Sequence, residues 1–551
     1  MRIDQYYSNM DKANFYLGMI SQVYRGNSSI QVENLSLLNH RKLRLETLIP
    51  NTINYFVVVD SVQGLFLGEI YQSKVNSSDS VHESMNNGRK DNVFPEISVN
   101  IIGLLSDDVK FKLSGFKTVG ITDKVYIANE KIIHKYIESI EINTYLNDTQ
   151  KQPCLNNLAK IGNFDLEYLS LQPNTLFDRH LMAIGTTNSG KSTSALSILD
   201  KMINAKRKIL LIDPTGEYKS SFDNCEMLSL TLGKDTVLPI GKISMRQWSM
   251  IFQTNDGTQD TVLTKAVKSL RFQFSKQLIE PKNPIYTGIY KKVGKTVTQV
   301  ETDMSFVTNQ KGEGAFELSL LPEQIIAESV IEGTKSYEKG LYKEDTFRSG
   351  INGWLAEKVE NVLENSTLKD FFSSELDKHN LIAQIDEFLS NDSSSLYIDA
   401  SEIGTLDGIG AMIVDLISHY VINKKRSEIK PFVMYIDEVH RYTQSNNEYQ
   451  SGLVSIAREG RKKGIFLFLT TQSPKDVPEI LLGQVGTLII HRLTHSEELR
   501  TIQNQVQQNT LSQIQKLNQG EAVLTSINLL QDVYVRFEKC KRSHESNTPI
   551  L

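Results

Sequence analysis

The stretch Gly185-Thr-Thr-Asn-Ser-Gly-Lys191-Ser192 constrains this chain more than any other. It fits the pattern G-x-x-x-x-G-K-[ST] without a mismatch. Glycines let a backbone curl until several N–H groups converge on one point, and a helix opening directly behind them adds its positive N-terminal end. The flanks supply that context: Leu181–Ile184 is a short apolar run, and a helical pattern extends from Lys191 to Ile203. The expected element is a strand, a phosphate-binding loop and a helix. Gly185, Thr186, Thr187, Asn188, Ser189, Gly190, Lys191, Ser192 and Thr193 would cradle the phosphates of a nucleoside triphosphate. Lys191 would reach the β- and γ-phosphates, and the Ser192 hydroxyl would bind Mg²⁺. Ile209–Ile212, ending in Asp213, reads as a second strand, so the unit is βαβ and the fold class α/β with a parallel sheet.

A second half of such a site lies far downstream. The apolar run Phe432-Val-Met-Tyr-Ile ends in Asp437-Glu438. Strand C-termini are where open α/β sheets bind ligands. Asp437 would hold Mg²⁺ through water, and Glu438 would polarise the attacking water as general base. A third strand, Ile465–Leu469, ends in Thr470-Thr471-Gln472. The Gln472 amide either contacts the γ-phosphate or attacking water, or simply belongs to the turn before Pro474. Arg458 and Arg461 lie in Ala457-Arg-Glu-Gly-Arg-Lys-Lys-Gly464. They read either as a solvated basic helix face or as groups that stabilise transferred-phosphoryl charge across a subunit contact. Arg179, just before the first strand, is of the same kind. Asp213-Pro-Thr-Gly-Glu217-Tyr218 is a turn by composition that carries two carboxylates to the same sheet edge.

A chain of 551 residues is too long for one ordinary core. Residues 1–160 are β-rich, with runs at Gly18–Tyr24, Tyr55–Val59, Leu65–Ile70, Ile97–Leu105 and Lys124–Ile127, as in a small barrel or sandwich. Ser73–Asn92 is polar and reads as a long exposed loop. Residues 161–240 and 395–540 carry the α/β texture. Between them, 241–394 reads as a helical insertion, with helices over Val262–Phe274, Pro322–Ile331 and Thr367–Leu389 and an irregular polar stretch Lys282–Gly314. Residues 541–551 form a polar tail. The net charge of −5 does not advertise nucleic acid, although a ring can hide a basic lining. Three scattered cysteines, Cys154, Cys225 and Cys540, make neither a disulfide framework nor a zinc pattern. No apolar run approaches the ~20 residues of a membrane span. A soluble cytoplasmic protein with no membrane contact is the expectation.

Taken in order, Gly185–Ser192, Asp213-Pro-Thr-Gly-Glu-Tyr218, Ile436-Asp-Glu-Val-His440, Ala457-Arg-Glu-Gly-Arg-Lys462 and Thr470-Thr-Gln-Ser-Pro474 resemble the HerA branch of the HerA/FtsK ATPases. The resemblance covers the ATPase core and implies a RecA-like fold with an N-terminal small β-barrel and a helical insertion. It implies an ATP- and Mg²⁺-dependent hexameric ring that moves double-stranded DNA. It places Asp437 and Glu438 as the Walker B pair and Gln472 as the γ-phosphate-sensing glutamine. Arg458 or Arg461 would be the finger reaching a neighbour's ATP, Arg179 an active-site arginine and Glu217 an acid near the nucleotide. It also implies a partner effector, a nuclease or an NAD-consuming enzyme, in DNA repair or anti-phage defence. A nucleotide-gated scaffold ring is the competing role. The chain departs from the family at Asn188, where Gly is frequent, and at Ser473, where Arg is. Lys265, Lys268 and Arg271, basic residues of the insertion, read either as pore contacts or as solvated helix faces.

Overall fold

A computed structural model describes residues 2–24, 27–38, 41–43, 46–48, 55–75, 78–89, 93–106, 110–142, 155–162, 167–255, 257–309, 314–336, 338–373, 377–392, 394–403, 407–443 and 451–543. Cys154 and residues 544–551 of the polar tail lie outside them. The chain divides into two compact units, Met1–Lys201 with Gly486–Cys540, and Met202–Val485 with Lys541–Leu551.

The first unit opens with a closed barrel. Six strands follow one another around it: Asn27–Val32, Tyr16–Val23, Lys124–Ile127, Phe56–Ser61, Gly64–Lys74 and Glu96–Ser106, which pairs back with Asn27–Val32. All six pairings are antiparallel. Of the two β architectures the sequence allowed, closure selects the barrel, and closure leaves no unpaired edge among the six. Val57, Val59, Phe66, Ile30, Val99 and Val125 are buried in it.

Ser73–Asn92 is not the loop its polarity suggested. The strand continues to Lys74, and Asp79–Asn86 is a helix whose N-cap Ser78 accepts from the Val81 N–H through its side chain. A polar segment with a good cap and no Pro or Gly can be a solvent-facing helix, because a cap satisfies the orphan N–H groups that composition ignores.

The same unit carries a strand array in the order Tyr168–Leu171, Leu155–Ile161, Val533–Arg536, Glu521–Ser526, Thr487–Ile490 and Leu181–Ile184. Leu155–Ile161 straddles the compositional boundary at 160 and pairs here, not in the barrel. The last two strands run parallel, Leu181 opposite Thr487 and Ile184 opposite Ile490.

The second unit holds five parallel strands in the order Ile465–Thr471, Phe432–Ile436, Lys208–Asp213, Ser395–Asp399 and Met227–Thr231. Every residue of Lys208–Asp213, Ser395–Asp399 and Phe432–Ile436 is buried. That explains runs that are apolar throughout instead of alternating. Met227 pairs with Ser395, so the chain leaves this sheet and returns at neighbouring strands. The excursion is mainly helical, led by Thr258–Ile279 and Thr346–Leu363. Phe272, Tyr290 and Val300 form a small core of its own.

Two details of the excursion differ from the sequence expectation. Thr367–Leu389 is two helices, Ser366–Phe371 and Leu381–Ser390, the second capped by Asn380. Lys282–Gly314 contains the helix Val297–Asn309. Arg271 is half-buried, and its guanidinium donates to the carbonyls of Gly314 (2.8 Å) and Ile243 (3.1 Å). No helix of the described residues is long and apolar enough to cross a membrane.

Candidate functional site

In the first unit, the buried strand Leu181–Ile184 runs into the loop and the loop into the helix Lys191–Asn204. The turn is drawn tight by backbone contacts. The Thr186 N–H donates to the Arg492 carbonyl (3.2 Å) and the Ser189 N–H to the Thr186 carbonyl (3.2 Å). Asn188 adopts φ 63°, a left-handed value that Asn tolerates better than most residues, and its Oδ1 accepts from Gln519 Nε2 at 2.7 Å. Thus the departure from glycine at position 188 is compatible with the required backbone.

Gly190 has no such latitude. Its φ is +106°, and a Cβ there would lie 2.6 Å from the Gly520 nitrogen, which donates to the Ser189 carbonyl at 3.0 Å. A Cβ on Gly185 would lie 2.5 Å from Ser189 Oγ. That Oγ is buried and has no hydrogen-bond partner among the described residues. Lys191 is only 5% exposed, while Ser192 and Thr193 are half-buried in the first helical turn. The loop therefore offers curled backbone, an orphan hydroxyl, a lysine and a helix N-terminus, a set suited to phosphate oxygens.

Beneath the loop lies His491, a residue the sequence reading passed over. It is fully buried. Its Nδ1 is 2.9 Å from the Glu521 carbonyl and its Nε2 2.8 Å from Ser194 Oγ. A carbonyl can only accept, so Nδ1 carries the proton; the single hydrogen of the Ser194 hydroxyl is shared between Nε2 and the Lys191 carbonyl, which also lies 2.8 Å away. Burial pushes the imidazole pKa down to about 4, and the nearby Lys191 charge adds to the shift.

In the second unit, parallel register carries Asp213 level with Asp399, and Asp437 follows the last residue of Phe432–Ile436. The carboxylates have different employments. Asp213 is saturated by the N–H groups of Thr215, Gly216 and Tyr218, the Thr215 hydroxyl and the Tyr397 hydroxyl (2.8–3.1 Å). It ties down the Pro214–Tyr218 turn that presents half-buried Glu217. Asp437 accepts the Glu438 N–H (3.0 Å) and the Thr470 hydroxyl on one oxygen, and the Tyr218 hydroxyl (3.0 Å) on the other. Tyr218 in turn lies 2.5 Å from the Tyr435 hydroxyl. Its own proton goes to Asp437, so Tyr435 donates to it. Burial raises both phenol pKa values well above the ordinary range, keeping the relay protonated. A carboxylate has about four lone-pair positions. Three are taken on Asp437, and the remaining one suits an outer ligand of a hydrated Mg²⁺ ion.

Glu438 sits at φ 45°, ψ 52°, a left-handed conformation that costs a non-glycine residue about 1–3 kcal/mol. Its backbone N–H is held by both Asp437 Oδ1 and Thr470 Oγ1 at 3.0 Å. Its carboxylate accepts the Gln472 side-chain amide at 2.7 Å and the Gln472 N–H at 3.1 Å. Glu438 and Gln472 are therefore brought together in this unit, in direct contact.

The arginines are carried by other segments. Arg458 and Arg461 are exposed on the helix Gly452–Lys463, which leads into the start of Ile465–Thr471, whereas Gln472 follows the end of that strand. Arg179, also exposed, precedes Leu181–Ile184, so the four-residue strand separates it from the loop by roughly 13 Å or more. Among the described residues no group of three or more His, Cys, Asp or Glu side chains forms a metal cluster.

Tyr218, Tyr435, Thr470 and His491 were missed because each looks ordinary in sequence. Tyr435 reads as one more apolar strand residue, and only the sheet register reveals the hydroxyl relay.

Comparison with known proteins agrees with the motif order. The profile of the central domain of helicase HerA matches residues 159–417, and that of the HerA-like C-terminal helicase domain matches 425–531, together about two thirds of the chain. A protein named as a probable helicase of Methanocaldococcus jannaschii is 25% identical over 495 residues, covering 80% of this chain and 86% of that protein. A probable DNA double-strand break repair helicase HerA of the same organism is 21% identical over 462 residues, 80% of this chain and 88% of its own length. Among solved structures, VirB4 of Thermoanaerobacter pseudethanolicus aligns with a TM-score of 0.46 at 12% identity, over 72% of this chain and 99% of that one. The plasmid coupling protein TrwB with an ATP analogue aligns at 0.45 and 13%, over 68% and 89%.

Proposed function

This chain belongs to the HerA-like P-loop ATPases, and from that membership we propose that it is a motor that hydrolyses ATP to move double-stranded DNA. The observation that carries the chemistry is the Glu438 carboxylate, placed at a parallel-sheet C-terminus and held by Gln472. In this reading the loop residues Gly185 to Thr193 bind ATP, and Lys191 compensates the β- and γ-phosphate charge. Mg²⁺ neutralises phosphate charge when bound; Ser192 and Asp437 would hold it. Glu438 takes the proton of the attacking water. Gln472 senses the γ-phosphate, and Glu217 lies near the nucleotide.

The working form is a homo-oligomeric ring, a hexamer in the cytoplasm. Arg458 or Arg461 acts on a neighbouring subunit's ATP, and Arg179 is an active-site arginine. The exposure of Arg458 and Arg461 on the helix Gly452–Lys463 supports reading one of them as a finger that reaches a neighbour. A second polypeptide, a nuclease or an NAD-consuming enzyme, supplies the effector activity in anti-phage defence or DNA repair. The name of one relative, a probable DNA double-strand break repair helicase, supports the DNA substrate.

The test is the steady-state ATPase rate with and without linear double-stranded DNA at two salt concentrations, since phosphate contacts weaken with salt. Mass measurement of the complex with ATP accompanies it. The motor predicts a ring and a rate that rises on adding DNA and loses that rise at high salt. An unstimulated rate from an intact ring would instead establish a nucleotide-gated scaffold.

A further inference from the structure

His440 lies two residues after the base and on the same short 3-10 turn, Val439–Tyr442. Its Nδ1 is 3.1 Å from Thr471 Oγ1 and 3.4 Å from Glu438 Oε2. Which atom carries the proton follows from the neighbours. The Thr471 hydroxyl donates to the Ser473 carbonyl at 3.1 Å and accepts the Ser473 N–H at 3.2 Å. Its single hydrogen is committed, so the proton between His440 and Thr471 belongs to Nδ1. That Nδ1–H therefore faces the Thr471 oxygen and the Glu438 carboxylate together. Glu438 Oε2 accepts the Gln472 backbone N–H and lies 3.4 Å from the His440 ring nitrogen, a close polar contact and not a second hydrogen bond, while Oε1 accepts the Gln472 amide.

We propose that His440 is a positioning residue for the base: with Gln472 it fixes the rotamer of the Glu438 carboxylate, anchored through Thr471 to the end of the neighbouring strand. The proposal rests on the reading of Glu438 as the general base. Two features make it more than packing. Glu438 is strained in the backbone, and such a conformation persists only where its surroundings over-determine it. In addition, Gln472 is the residue read as the γ-phosphate sensor. When its amide turns to a γ-phosphate, Glu438 loses the Oε1 partner, and the Gln472 backbone N–H and His440 remain to hold the Oε2 side of the carboxylate. His440 is half-buried, as is Glu438 (20% and 17% side-chain exposure), so a ring here stays fixed without being part of the core.

The test compares His440→Asn, which puts an amide N–H near the Nδ1 position, with His440→Gln, which puts it near Nε2, and with His440→Ala. ATP turnover and the affinity for a non-hydrolysable ATP analogue are measured for each, beside Lys191→Ala and Glu438→Gln. The expected result is a kcat lowered about tenfold or more in the Ala and Gln variants, with KM and analogue affinity within about twofold of the parent. The Asn variant recovers most of the rate. Three results would overturn the proposal while leaving the base intact: a wild-type kcat in His440→Ala, equal loss in the Asn and Gln variants, or a loss that appears in KM and analogue binding alone. Persistent turnover in Glu438→Gln would instead overturn the assignment of the base. If His440→Ala does not fold, the Asn and Gln pair decides.

Discussion

In the phosphate loop, position is set by backbone. In the acidic strand ends, it is set by side chains. The loop holds its shape through N–H to carbonyl contacts and through the missing Cβ of Gly190, and its lysine needs only to follow. At Asp437 and Glu438 the strand merely delivers two acids to an edge. Tyr218, Tyr435, Thr470, Gln472 and His440, drawn from three separated stretches of sequence, then aim them. The lesson is that a site made by backbone leaves a contiguous signature, whereas one made by side-chain networks leaves its signature dispersed.

That contrast predicts different failures. Lys191→Ala and Glu438→Gln are each expected to lower ATP turnover by at least about 10²-fold, within the range a general base or a phosphate-charge group contributes. They should part on binding: titration with a non-hydrolysable analogue would find affinity lost in Lys191→Ala and kept in Glu438→Gln. Equal loss of affinity in both would break the distinction between a binding half and a chemical half.

Next in size, Gly190→Ala must place a Cβ at φ +106° and 2.6 Å from Gly520. The strain is about 1–3 kcal/mol, and analogue affinity should fall by about tenfold or more. A substituted loop that binds normally would show that backbone does not govern it.

The pH response sharpens the loop side. His491 is held neutral by burial, with its pKa at about 4 against an unfolded value near 6.5. As pH falls from about 6.5 to 4, the unfolded chain takes a proton that the folded chain refuses, so stability drops by up to about 3 kcal/mol across that window. Thermal melts from pH 7 to pH 4 should show a downward slope in the parent that His491→Gln flattens. Identical slopes would mean that some other group dominates.

Smallest is Tyr218→Phe, which removes one donor from Asp437 and leaves its other contacts. A cost of about 1–2 kcal/mol in denaturant unfolding is expected, with nucleotide affinity unchanged. A large fall in affinity would show the tyrosine to be part of the binding half.

Much of the architecture was legible because it is local. Strand, loop and helix around Gly190 announce themselves, and so do the wholly apolar strands of the parallel sheet, because burial on both faces forces such runs. Five of the six barrel strands were visible as β-branched or aromatic runs, but Asn27–Val32 was not, nor was closure, because the pairing of Asn27–Val32 with Glu96–Ser106 joins segments some 70 positions apart in sequence. The helix Asp79–Asn86 was missed because its polarity hid a cap. The motif order itself carried the family, and the profile matches bear that out.

By itself, then, the sequence determined a phosphate-binding loop, an acidic pair at a strand end and membership of the HerA-like ATPases, because each depends on residues adjacent in the chain. Only the tertiary structure decided how those acids are held. Parallel register set Asp213 level with Asp399, put Thr470 and Gln472 beside Asp437 and Glu438, and turned two buried tyrosines into a hydrogen-bond relay. Such contacts follow from which strands pair, and no window of neighbouring residues contains that choice.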